Sequence, residues 1–191
     1  SSSVEPAAAP RGTTIEVSDI FFNTPARKKF LRSPATEQAH VLESCLRVAL
    51  GARRGGVLVT SGTRRLLDIP PDIAGLERAQ IALGKRVKDL RPFEYESDGI
   101  RIQGYVSGAN IDRGDTKGIW FFVNGRYVRD RMLGRVTADA FRGMVERGRY
   151  PNLLVYLDIN PEAIDVNVHP QKLEVRFSDG AAVYRALAAS L

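Results

Sequence analysis

β-Branched and polar residues alternate along GTTIEVSDIFF, residues 12–22, and predict a strand. Thr24-Pro25 offers an N-cap followed by proline at the first helical position, so a short helix is expected at ARKKFL. Ser33-Pro34 repeats the signal. The next helix is expected to run to Leu50, with Val41, Leu42, Cys45, Leu46 and Ala49 on one face and Gly51 as its stop. GVLVT and RRLLDI flank Ser61-Gly62 and read as a hairpin, and Pro70-Pro71 marks a boundary between two units. Beyond it, AGLERAQIALG reads as a helix stopped by Gly84. FEYESDGIRIQGYVS reads as a hairpin turning at Asp98-Gly99, and GIWFFVNGRYV as a second with Asn124-Gly125 at its tip. RMLGRVTADAFRGMVERG is expected to be helical, LLVYLDI a buried strand, VNVHP and KLEVRF shorter strands, and AAVYRALAAS a closing helix. Mixed strands and helices after residue 72 predict an α/β (α+β) sandwich built on a mixed sheet.

Composition narrows the classes. The 191 residues are 43% apolar, enough for one large core or two small ones. No apolar run approaches the roughly 18 residues of a membrane span, and SSSVEPAAAP lacks the apolar centre of a secretion signal. The single cysteine, Cys45, excludes an intrachain disulfide and a cysteine zinc site, and a cytosolic compartment is expected. The 28 Lys and Arg against 22 Asp and Glu give a net charge of +6, which permits a polyanionic partner without requiring one.

The cations cluster. In FFNTPARKKFLR, Arg27, Lys28, Lys29 and Arg32 crowd one and a half helical turns, and Lys28 and Arg32, four apart, are expected to share a face. In NGRYVRDRMLGR, Arg131 and Arg135 lie one turn apart beside Arg126 and Arg129, with Asp130 either capping the helix or pairing with an arginine. Both clusters suit contacts to phosphate backbones, and both equally suit an ordinary solvated surface. Few aromatics interleave with them, which favours duplex backbone over a single-strand stacking platform.

DVNVHPQKLEVRF poses a different question. Proline removes a ladder donor and forces the preceding residue to be extended, so the strand breaks at His169-Pro170 and Lys172 projects just beyond. A lysine so held can reach an anion in a neighbouring site, or can simply protect an edge strand. His40 and His169 are the only histidines, and no metal-ligand spacing occurs. Neither a GxxxxGK[ST] loop nor a GxGxxG turn is present, so these residues hold no self-contained nucleotide site.

GTTIEVSDIFFNTPARKKFLR, FVNGRYVRDR and DVNVHPQKLEVRF, in this order and spacing, resemble the MutL family of DNA mismatch repair proteins. The resemblance covers nearly the whole chain. It implies a two-part ATPase of the gyrase–Hsp90–histidine kinase–MutL (GHKL) type: residues 1–72 as the C-terminal portion of the ATPase domain, and residues 73–191 as the transducer domain, with a ribosomal-protein-like fold. By the same resemblance Lys172 is the catalytic lysine that reaches the terminal phosphate of ATP, and Thr13 helps close the adenine end of the pocket. Arg32 and Arg131 match basic positions lining a DNA groove, with Lys28 and Arg135 beside them, while Asn23 and Arg27 match supporting positions. ATP and Mg2+ are implied as cofactors of the intact protein and none for this stretch alone. Its implied partners are DNA bound without sequence preference, a MutS-type mismatch sensor, a downstream endonuclease or helicase, and a second copy. A cytoplasmic, nucleoid-associated bacterial location follows from the same likeness. The family's water-activating glutamate, magnesium-holding asparagine, adenine-reading aspartate and glycine-rich lid do not occur in these residues. The stretch is therefore expected to start inside the ATPase domain and to be inactive alone. A stand-alone basic nucleic-acid-binding module with no ATP role is the other reading.

Overall fold

IWFFV and LLVYLD are apolar at nearly every position, because both faces of the sheet they form are covered. In the computed structural model they are two neighbouring strands of a five-stranded sheet. The structure describes residues 12–84, 87, 89–108, 112–166 and 173–191. They divide into two compact units, Ser1–Ala39 and His40–Leu191.

In chain order the helices are α1 (Pro25–Lys28), α2 (Pro34–Gly51), α3 (Gly75–Leu83), α4 (Arg131–Ala140) and α5 (Gly180–Ser190). The strands are β1 (Val57–Ser61), β2 (Arg64–Ile69), β3 (Leu90–Ser97), β4 (Ile100–Ser107), β5 (Asp112–Arg113), β6 (Ile119–Val123), β7 (Arg126–Val128), β8 (Tyr150–Pro151), β9 (Leu153–Asp158), β10 (Ile164–Asp165) and β11 (Arg176–Phe177). The large sheet runs β3-β4-β9-β6-β7; only β6 and β9 are parallel, so the sheet is mixed, as expected.

Side chains alternate across this sheet with period two. Phe121, Val123, Leu153, Val155 and Leu157 face one way and pack with Leu133 of α4 and Val183, Ala186 and Leu187 of α5. Trp120, Phe122, Leu154 and Tyr156 face the other way and meet Ala49 and Leu50 of α2, Leu67 and Ile69 of β2, and Ala79 and Ala82 of α3. Each large apolar side chain so buried contributes roughly 1.5–3 kcal/mol. Two layers thus sandwich the sheet.

Hairpin chemistry follows the sequence. Asn124 and Gly125 adopt φ of 47° and 78°, and Asp98 and Gly99 adopt 52° and 73°, the left-handed pair a tight hairpin requires. Gly84 ends α3 at φ 80°. Gly51 has a different reason from the expected stop. A Cβ there would run into the Gly125 carbonyl oxygen and lie 3.2 Å from the Phe122 ring.

Four expectations change. Residues 12–22 form no strand: Ile15 and Val17 are 82% and 72% exposed, no described strand pairs with them, and positive φ at Asp19 and Phe21 turns the chain instead. An extended segment without a ladder partner leaves its backbone groups to water. The helix expected over 131–148 ends at Ala140, where Phe141 turns into the buried layer and Gly143 takes φ 90°. Of the described residues of KLEVRF, Arg176 and Phe177 form the strand, paired with Asp165 and Ile164 of β10. In α2 it is Leu42, Leu46, Ala49 and Leu50 that pack on the sheet, while Val41 stays 55% exposed.

Candidate functional site

Asp130 decides how α4 presents its cations. Its Oδ1 accepts from the Leu133 backbone N–H at 2.8 Å, so it caps the helix. Leu133 and Thr137 are then buried, which leaves Arg131 and Arg135, one turn apart, on the exposed side with half-exposed Met132. Neither arginine makes an ion pair with a described residue. Two solvated guanidiniums spaced by a helical turn suit successive oxygens of a polyanion.

Arg129, of the same sequence cluster, behaves differently. Its Nη2 donates to Glu43 Oε1 at 3.1 Å and its Nε to the Tyr127 hydroxyl at 3.2 Å. Arg47 holds the same Glu43 oxygen at 2.5 Å and lies 4.5 Å from the Tyr127 ring centroid. The Tyr127 hydroxyl, then Glu43, raise the Arg129 pKa. Arg129 therefore links the end of β7 to α2 through a Glu43 carboxylate that it shares with Arg47, while its side chain stays 59% exposed. Neither Glu43 nor Arg47 stands out in the sequence.

In the first unit, Thr24 makes no side-chain cap, and α1 lasts one turn. Lys28 closes it and Arg32 lies beyond it, so the two do not share a helical face. The cause is Ser33-Pro34, which restarts the chain: the Arg32 backbone N–H donates to Glu37 Oε1 at 2.9 Å, and the Thr36 N–H to Ser33 Oγ at 3.4 Å. Lys28, Arg32, Arg27 and Asn23 are exposed, and Thr13 sits in the exposed segment before the first turn.

Lys172, with His169 and Pro170, lies outside the described residues. Its flanks are tied down: Ile164 and Asp165 pair with Phe177 and Arg176, and the Leu173 carbonyl oxygen accepts from the Arg129 N–H at 2.6 Å. Among the described residues no group of His, Cys, Asp and Glu is placed to hold a metal, and no helix is long and apolar enough to cross a membrane.

Arg78 is a residue the sequence reading did not single out. It is 2% exposed; its Nε donates to the Ala49 carbonyl oxygen at 2.8 Å, and its Nη1 to those of Gly55 and Ile73 at 2.9 and 3.2 Å. It thereby satisfies the end of α2 and two loops at once. The available signal was its place four residues before Ala82, on the buried side of α3.

Residues 79–191 match the family model described as DNA mismatch repair protein, C-terminal domain. The chain is 41% identical to the DNA mismatch repair protein MutL of Anaeromyxobacter dehalogenans strain 2CP-C over 96% of its length, and 40% identical to that of Syntrophus aciditrophicus over 97%. It spans 30% of either relative. Among solved structures it resembles the N-terminal domain of a DNA repair protein, with a TM-score of 0.71 at 18% identity over 88% of this chain and 56% of that one. It also resembles the Aquifex aeolicus MutL ATPase domain complexed with ADP, with a TM-score of 0.58 at 22% identity over 75% of this chain and 51% of that one. The fold is thus that of these domains, and the chain belongs to the MutL family of DNA mismatch repair proteins.

Proposed function

We propose that this chain is part of an ATP-gated mismatch repair mediator. The intact protein binds and slowly hydrolyses ATP with Mg2+, dimerises, and binds DNA without sequence preference. It acts in the cytoplasm between a MutS-type mismatch sensor and the endonuclease or helicase that opens the marked strand. Residues 1–72 belong to its ATPase domain and 73–191 to its transducer. The single observation that carries the reading is sequence identity near 40% to MutL proteins along nearly the whole chain.

Within that reading Lys172 touches the terminal phosphate, Thr13 the adenine end, and Arg131, Arg135, Lys28 and Arg32 the DNA backbone. A charge present on the γ-phosphate before hydrolysis and lost after it biases a two-state arrangement of the domains. The exposed pair on α4 supports the DNA role, because unpaired cations release counterions on contact with phosphate.

The experiment uses the longer protein containing the whole nucleotide pocket. Lys172→Ala is expected to lower ATP hydrolysis at least about tenfold while leaving DNA affinity and its salt dependence unchanged. Arg131→Glu is expected to do the opposite, reducing the slope of log affinity against log salt by about 1. If both substitutions alter DNA binding alone, the reading fails and a basic nucleic-acid-binding module with no ATP role replaces it.

A further inference from the structure

Arg129 stands two residues before Arg131, so their Cα atoms lie within about 7 Å of each other. Asp130 between them is committed to the α4 cap. We propose that Arg129 is a third contact to the DNA backbone beside Arg131 and Arg135, and that Glu43 of α2 competes with phosphate for it. The inference rests on the DNA-binding reading of α4 and adds to it a contact and an internal competitor.

The cluster keeps a positive charge facing solvent. Glu43 Oε1 accepts from Arg129 Nη2 at 3.1 Å and from Arg47 Nη2 at 2.5 Å, so one carboxylate serves two guanidiniums. Arg47 is the better covered of the two: its side chain is 23% exposed, and its guanidinium lies 4.5 Å from the Tyr127 ring centroid. Arg129 has the longer bond to the shared oxygen and a side chain 59% exposed. The surplus charge therefore lies at Arg129, where an outside anion can meet it. Its other bond runs from Nε to the neutral Tyr127 hydroxyl at 3.2 Å, and no described residue accepts from its Nη1.

Glu43 is a weak internal partner for this cation, and phosphate is a strong external one. A solvent-open ion pair is screened and gains little. A phosphate offers a guanidinium two oxygens and releases counterions as it is neutralised. A strand docked on Arg131 brings its neighbouring phosphate within reach of a long side chain rooted two residues away. Its approach draws Arg129 off Glu43 and loosens the link between α2 and β7.

The experiment measures the anisotropy of a labelled mixed-sequence duplex on the longer protein, free of nucleotide, across a series of salt concentrations. Glu43→Gln is expected to tighten binding at least about threefold and to steepen the slope of log affinity against log salt by about 1. In the Arg129→Gln background the same change is expected to gain no more than about 1.5-fold, because the released cation is gone. Arg129→Gln alone is expected to weaken binding about threefold. If Glu43→Gln does not fold, Arg129→Gln with an unchanged circular dichroism spectrum decides. Equal affinity of the native protein and Arg129→Gln, or a Glu43→Gln gain that persists in full without Arg129, overturns the proposal. If Arg131→Glu also leaves affinity unchanged, the DNA reading falls with it; if Arg131→Glu weakens binding while the other two variants do not alter it, this inference alone falls.

Discussion

Tyr156 is 8% exposed, and its hydroxyl donates to the Leu50 carbonyl oxygen at 3.2 Å. Burial pushes its pKa up to about 12, outweighing the opposing pull of Arg53. The neutral phenol is the form this fold holds. The sign follows: the contribution is complete below the ordinary tyrosine pKa of about 10 and is lost as pH rises through the folded value. Denaturant midpoints are therefore expected to fall in the alkaline range up to about pH 12, and phenolate absorbance to rise over the same range. Tyr156→Phe removes the titrating group and should flatten that part of the profile. Arg78 shows the same dependence on surroundings. Its residue type says surface, and three backbone carbonyls make it interior.

Helix starts and hairpin turns were readable because a few adjacent residues decide them. Asp130 capping α4 is such a case; Asp130→Ala is expected to cost about 1 kcal/mol in chemical denaturation and to leave the Tyr156 titration unchanged. Gly51 is the contrary case. Its position after a helix suggested a stop, yet the α2 end and the β6–β7 turn meet there at backbone distance. Gly51→Ala is expected to destabilise by roughly 1–3 kcal/mol, because the added Cβ would overlap the Gly125 carbonyl oxygen, a backbone atom, and force the α2 end and the β6–β7 turn apart. The strand expected at residues 12–22 failed for a related reason. Alternation describes a surface suited to pairing, but a strand exists only where another chain segment supplies the ladder.

The five-stranded sheet carries most of the order in the second unit. Its middle strands β6 and β9 are covered on both faces, so their amides open only when the unit as a whole unfolds. Native-state hydrogen exchange is expected to be slowest in 119–123 and 153–158 and fastest among the described residues in 12–18. Comparable exchange in the two sets would contradict the packing described. The candidate DNA-contacting cations sit on exposed surface, Arg131 and Arg135 on α4 in this unit and Lys28 and Arg32 in the other, so substitutions there are expected to change binding more than stability.

Periodicity, turn residues and caps act between near neighbours, so most helix starts, the hairpins, the buried runs and the family likeness were legible in the order of amino acids, while the ends of α1 and α4 were not. Three long motifs carried the likeness without any knowledge of packing. What needed the folded chain was every choice among chemically equal residues at long range. Arg129 is tied to Glu43, 86 positions away, while Arg131, two residues on, stays solvated. Arg78 was turned inward to meet carbonyls of two other segments, and one face of the sheet was left partly open as a cleft. A guanidinium's role depends on which oxygen reaches it, and that distance is set only when distant segments pack.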